Sequence, residues 1–162
     1  MKSRFRQITI AGASSPSREI YEEAYEIGLE LGKMGFVVIS GGREGVMEAV
    51  FRGVKEGGGT TVAVLPGIEF VEANPYADII LPTGFGFARN FLIARSSPVI
   101  LAIGGYLGTL SEISLAVVEG KKVIAYKAPK IEEAVGALPP NFVRVSTLQD
   151  AIEEVKKSYS LN

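Results

Sequence analysis

The chain has 162 residues, enough for one domain with a sizeable core, and a formal net charge of -1 without a long basic run, which argues against sequence-independent binding to nucleic acid. It has no cysteine and no histidine, which excludes disulfides, thiol nucleophiles, cysteine-bound zinc and histidine acid–base chemistry. Hydrophobic residues make up 47% of the chain, yet no apolar run reaches the ~20 residues that span a bilayer, and the basic start is too short in apolar residues for a secretory signal, so a cytoplasmic protein without membrane contact is expected.

In chain order, residues 7–11 (QITIA) predict a first strand ending at Gly12, followed by Ser14, Ser15 and Pro16. Ser17 is placed to cap a helix over 18–34, in which Ile20, Ala24, Ile27 and Leu31 recur at helical spacing until Gly35. A β-branched strand at 36–39 runs into Ser40, Gly41 and Gly42, and the helical period returns over 45–56. Gly57 to Gly59 break that helix before a third strand, Thr60–Leu65, which Pro66 and Gly67 end. Residues 68–78 lose the pattern and read as a loop, and a brief strand follows at 79–81. Next come a helix bearing Arg89, a strand at 98–103, a helix from Thr109 to about 119 and a strand at Lys122–Tyr126. A weak helix at 131–137, a strand at Phe142–Val145 and a helix from Thr147 complete the chain.

Apolar strands alternating with amphipathic helices imply an α/β fold: a single Rossmann-like domain over residues 1–162, with a doubly wound parallel sheet and helices on both faces. In such sheets ligands lie beyond the carboxyl ends of the strands, where strand order reverses. Glycine-bearing turns stand at three such ends: Gly12 to Ser15, Ser40 to Gly42, and Gly104 with Gly105. The first turn lacks G-x-G-x-x-G, the second strand ends in Ser40 rather than an acid, and no G-x-x-x-x-G-K-[ST] occurs. Nicotinamide dinucleotides and P-loop chemistry are therefore not expected.

The segment 85–112 carries the densest chemistry. Gly104 and Gly105 lead into a helix N-terminus, whose free N–H groups and dipole suit a phosphate. Glu112 lies in the expected first turn of that helix, and Arg89 lies just before the preceding strand. Each residue has two readings. Thr109-Leu110-Ser111-Glu112 fits a capping box, with Glu112 bonding back to the cap, or Glu112 serves chemistry at the crevice. Arg89 is either a surface arginine or a cation at the same edge.

SGGREGVMEAV, residues 40–50, resembles the G-G-G-x-x-G-[LV]-M motif of the LONELY GUY-type phosphoribohydrolases. GGYLGTLSE resembles their P-G-G-x-G-T-x-x-E motif, and FARNFLIARS resembles the arginine- and lysine-bearing helix before it. Motif order and spacing match from the first strand to about Tyr126. The family's arginine and glutamate map onto Arg89 and Glu112. Departures are Asn90 in place of the family's lysine, Gly104 in place of proline, Tyr106 in place of the second glycine, and Ser40 in place of the first glycine of the other motif. This pattern resembles the branch that includes the molybdenum-cofactor carrier proteins.

The resemblance implies a site for a phosphorylated, nucleotide-like small molecule. Arg89 and Glu112 would be catalytic. Gly104, Gly105, Gly108 and Thr109 would hold phosphate, Gly41, Gly42 and Gly45 would let the second turn approach the ribose, and Met47 would contact the nucleotide. Gly12, Ser14, Ser15, Asn90 and Tyr106 would complete the pocket. The activity implied is hydrolysis of the N-glycosidic bond of a nucleoside 5′-monophosphate. The alternative is a binding or carrier protein that performs no chemistry, and a DNA-binding module ranks last on charge. No cofactor is expected, nor a metal, since no group of carboxylates converges on the glycine turns. The resemblance also implies a homodimer, in keeping with apolar Phe85, Phe87, Phe91 and Leu92 around Arg89; the alternative is that these pack on their own sheet.

Overall fold

The structure is a computed structural model that describes residues 5–161; residues 1–4 and 162 of the expected domain lie outside the described ones. Strands β1 (Gln7–Gly12), β2 (Val37–Ser40), β3 (Thr60–Leu65), β4 (Ile79–Pro82), β5 (Val99–Ile103), β6 (Lys122–Tyr126) and β7 (Phe142–Val145) form one seven-stranded sheet. Every pairing is parallel, in the order β4-β3-β2-β1-β5-β6-β7. Helices α1 (Arg18–Lys33), α2 (Val46–Glu56), α3 (Arg89–Arg95), α4 (Leu107–Val118), α5 (Glu132–Val135) and α6 (Leu148–Tyr159) make the crossovers. The Rossmann-like α/β reading holds.

Alternation along the strands explains the two covered faces. Ile8, Ile10, Leu101, Ile103, Ile124 and Tyr126 point into a core with Ala24, Ile27 and Leu31 of α1, Val50 and Val54 of α2, and Val155 of α6. Their neighbours Ala11, Ile100, Ala102, Val123 and Ala125 point the other way, against Ile113 and Ala116 of α4. The Ser17 hydroxyl accepts the Ile20 N–H at 3.3 Å, and the Thr147 hydroxyl accepts the Asp150 N–H at 3.0 Å, so both expected caps form. No described helix is long and apolar enough to cross a membrane.

Two arrangements position the site. Helices α1 and α2 touch backbone to backbone, because a side chain on Gly28 would meet the Val50 carbonyl and one on Gly53 would meet the Tyr25 carbonyl. That contact fixes the turns from which both helices start. Across the sheet, α3 is anchored at its end by Thr9, whose hydroxyl donates to the Ile93 carbonyl at 3.2 Å and accepts from the Ser97 hydroxyl at 2.8 Å.

Some bounds differ from the sequence reading. The expected loop at 68–78 contains a turn of 3₁₀ helix, Phe70–Glu72, closed by a capping box between Glu69 and Glu72. The weak helix at 131–137 shortens to α5, ending at Gly136 with φ 75°. Phe85 and Phe87 are largely exposed, and Phe91 and Leu92 are partly so, instead of being buried against their own sheet.

Candidate functional site

Strand order reverses between β1 and its neighbour β5, and a crevice of about 420 Å³ opens beyond the carboxyl ends of these strands. Its walls are the β1–α1 loop (Gly12, Ala13, Ser14, Ser15), the β2–α2 turn (Arg43, Glu44) with Met47, the start of α3 (Phe87, Arg89, Asn90), and the β5–α4 segment (Gly105, Tyr106, Gly108, Thr109, Glu112).

The β5–α4 segment is built to leave donors free. Gly104 (φ 58°) and Gly105 (φ 105°) turn the chain through backbone angles that side chains disfavour. The Gly104 N–H donates to the Tyr126 carbonyl at 3.0 Å, and the first bond of the helix runs from the Leu110 N–H to the Tyr106 carbonyl at 2.9 Å. The N–H groups of Gly105, Tyr106, Leu107, Gly108 and Thr109 have no hydrogen-bond partner among the described residues. Tyr106, the capping residue, makes no side-chain cap. Free N–H groups at the positive end of a helix dipole have the chemistry that suits an anion.

Arg89, the first residue of α3, is 8% exposed. Its Nη1 donates to the Gly41 carbonyl at 3.1 Å and the Val64 carbonyl at 2.5 Å, at the ends of β2 and β3. Nε is buried without a partner, and Nη2 makes no hydrogen bond among the described residues. Burial lowers the guanidinium's pKa, opposed by the attraction of Glu112, but an arginine stays protonated through any ordinary pH.

Glu112 is also 8% exposed, and no hydrogen bond or ion pair engages it among the described residues. Burial pushes its carboxyl up to about 8, against the opposing pull of Arg89. At neutral pH it is therefore largely a neutral acid, beside a permanent cation with which it couples through space.

The capping-box reading of Thr109 and Glu112 is overturned. Helix α4 begins at Leu107, so Glu112 falls in its second turn with no acid in the first, and Thr109 is inside the helix rather than its cap. The surface-arginine reading of Arg89 is overturned by its burial.

The other expected residues divide. Gly12, Ser14, Ser15, Met47, Arg89, Asn90, Gly105, Tyr106, Gly108, Thr109 and Glu112 line the crevice; Gly41, Gly42, Gly45 and Gly104 do not. Those glycines serve close packing instead. A side chain on Gly41 would lie 2.5 Å from Arg89 Nη1 and 2.8 Å from Met47 Sδ. One on Gly42 would strike Ala63, and one on Gly45 would strike the carbonyls of Ala13 and Ser14. Gly104 has spent its N–H on Tyr126. Asn90 acts as a brace: its Nδ2 donates to Ser111 Oγ at 2.9 Å, which donates to the Gly108 carbonyl at 2.7 Å, tying α3 to the first turn of α4.

Ala13 lies in the wall with the rest of its expected turn, while Arg43, Glu44 and Phe87 line the crevice without having been assigned to it from the sequence. Arg43 and Glu44 lie inside the SGGREGV motif, whose place at a strand's carboxyl end was the one signal available for them. Phe87 reads from the sequence only as apolar surface around Arg89. Among the described residues, no group of three or more metal-ligating side chains is assembled.

Comparison with known proteins gives the same neighbourhood. An uncharacterized protein of Archaeoglobus fulgidus is 42% identical over 130 residues, 80% of this chain and 85% of that protein. A probable cytokinin riboside 5′-monophosphate phosphoribohydrolase of rice is 34% identical over 119 residues, 69% of this chain; the chain spans only 52% of that protein's length. Among solved structures, the molybdenum cofactor binding protein of Rippkaea orientalis superposes with a TM-score of 0.87 at 32% identity, covering 96% of this chain and 98% of that one. The resemblance to the LONELY GUY-type group, near the molybdenum-cofactor proteins, therefore holds. The profile of the SLOG cluster4 family matches residues 5–156, and the chain belongs to that family.

Proposed function

We propose that the protein binds a nucleoside 5′-monophosphate in this crevice and hydrolyses its N-glycosidic bond, releasing the base and ribose 5-phosphate. The observation that carries this reading is the meeting, at one strand-order reversal, of unpartnered amides 105–109 with a buried Glu112 and a buried Arg89. The similarity to the rice phosphoribohydrolase supports the reaction type.

The 5′-phosphate sits on the free amides, with Thr109 beside it. Protonated Glu112 gives its proton to a ring nitrogen of the departing base as the C1′–N bond breaks. The resulting carboxylate faces the oxocarbenium-like sugar and orients a water whose oxygen adds to C1′. That water's proton returns to Glu112, so the carboxyl is regenerated in each turnover. Arg89 stays charged throughout and stabilises the ligand and the leaving base. A homodimer belongs to the same proposal. Phe87 and Phe91 are exposed and, with Leu107 and Leu115, line a second, largely apolar hollow of about 520 Å³ that borders the crevice.

The test is incubation with the common nucleoside 5′-monophosphates and assay for free base and ribose 5-phosphate. Turnover in the wild type that disappears in Glu112→Ala supports the proposal, and undiminished turnover in the variant defeats it.

A second reading is a binding or carrier protein that uses the crevice without chemistry. It rests on the similarity to the molybdenum cofactor binding protein and on Tyr106, 79% exposed at the crevice, where its ring is free to stack on a flat heterocycle. Native mass spectrometry of freshly purified protein separates the two. A co-purified pterin or nucleotide, together with no turnover, selects the carrier.

A further inference from the structure

The crevice has a second polar end that the proposed reaction does not use. Arg43 and Glu44 stand side by side in the β2–α2 turn and both line the crevice wall. The phosphate cradle follows β5, two strands away across β1, so the two ends lie roughly 10 Å apart at ordinary strand spacing. That span suits the base of a nucleotide whose phosphate occupies the cradle.

The turn is held rigidly. The Gly42 N–H donates to Ser40 Oγ at 3.1 Å, the Asn74 N–H donates to the Gly42 carbonyl at 2.8 Å, and Asn74 Nδ2 donates to the Arg43 carbonyl at 2.9 Å. The side chains it presents are loosely engaged, since Arg43 Nε lies 3.7 Å from Glu44 Oε2, too long for a hydrogen bond. Below them, Arg89 keeps a buried Nε without an acceptor. A fixed backbone thus presents a donor fork beside a carboxylate, with a second guanidinium beneath.

We infer that Arg43 and Glu44 read the ring edge that guanine and pterins share: a carbonyl next to a ring N–H and an exocyclic amino group. Arg43 donates to the carbonyl, as arginine does to guanine in direct readout. Glu44 accepts both N–H groups, one on each oxygen. Adenine offers a carboxylate only one amino group and presents no carbonyl to Arg43, so it satisfies fewer of these groups and leaves charge unpaired. This specificity rests on the phosphate occupying the amide cradle, as in the proposed function.

The test is calorimetric titration of the wild type with ribose 5-phosphate, AMP, IMP, GMP and a phosphorylated pterin such as neopterin phosphate. GMP or the phosphopterin should bind at least ten-fold more tightly than AMP, with IMP, which lacks the amino group, in between; which of the two is tighter identifies the source of the edge. Glu44→Gln should remove the GMP–IMP difference and Arg43→Gln should remove the advantage of IMP over AMP while GMP keeps its margin over IMP, and ribose 5-phosphate affinity should stay within about two-fold in each variant. AMP binding as tightly as GMP and the phosphopterin overturns the inference, whatever the variants do. So does an equal loss for every ligand, ribose 5-phosphate included, because Arg43 would then act only through general charge. If no phosphorylated ligand binds, the phosphate-cradle reading itself falls and takes the inference with it.

Discussion

Arg89 reaches the Gly41 carbonyl through space that any side chain on residue 41 would occupy: Nη1 donates at 3.1 Å, and a β-carbon on Gly41 would lie 2.5 Å from that same nitrogen. The glycine of the SGGREGV motif is therefore coupled to the arginine of the FARNFLIARS helix. The expectation that Gly41 approaches the ribose gives way to packing beneath the cation.

Gly41→Ala follows directly. The new methyl group must displace Arg89 or Met47, and overpacking of this kind typically costs about 1–3 kcal/mol. Ligand affinity or turnover should fall at least ten-fold, with a lower melting temperature. A variant with wild-type activity and stability would show that Arg89 need not sit where it does.

Gly105 and Gly108 separate a structural from a ligand-facing role. Gly105→Ala combines φ 105° with a collision against Thr109, so folding stability should fall by about 2 kcal/mol. Nothing lies within 4 Å of a β-carbon on Gly108, which is helical, so Gly108→Ala should keep or raise stability by up to about 1 kcal/mol. Its phosphate affinity should nevertheless drop several-fold if the anion sits on the amides, and unchanged affinity would move the anion elsewhere.

Glu112 sets a pH dependence. Its carboxyl titrates near 8 in the folded protein and near the ordinary glutamate value of 4.5 when unfolded, so the folded state holds the extra proton between these values. Wild-type stability relative to Glu112→Gln should be level below about pH 4.5, fall by about 1 kcal/mol per pH unit through that window, and flatten above pH 8. Because the acid form is the reactive one in the proposed reaction, kcat/KM should decline as pH rises through about 8. Parallel denaturation curves for wild type and variant at pH 5 and 9, or a rate that rises through pH 8, would contradict this.

Chelation should leave ligand binding and turnover unchanged, because the proposed chemistry draws only on Arg89, Glu112 and backbone amides. Loss of activity in EDTA, restored by magnesium or manganese, would require a hard-cation site bound jointly with the ligand's phosphate.

Light scattering at micromolar concentration should give a dimer, and Leu107→Asp, which places a charge on the exposed α3–α4 face, should shift it toward monomer. A monomeric wild type would remove the dimer from the proposal.

Much of this molecule follows from local pattern. Apolar runs such as Thr60–Leu65 and Lys122–Tyr126 are buried on both faces, so neighbouring positions need the same chemistry and the strands stand out. Ser17 and Thr147 cap their helices through contacts three residues away, which the sequence also shows. The motifs likewise placed Arg89 and Glu112 together, since both sit beside β5.

Tertiary structure decided what those residues do. Thr109 and Glu112 have the spacing of a capping box, but the turn imposed by Gly104 and Gly105 starts the helix at Leu107 and frees Glu112 for the crevice. The burial that raises its carboxyl, the carbonyls that hold Arg89, and the collisions that require glycine at 41, 42 and 45 all involve elements distant in sequence. Periodicity and caps are local and can be read from one chain. Desolvation, orphaned donors and close backbone approach arise only when separate segments share one volume, so the sequence by itself determined the architecture and packing determined the site's chemistry.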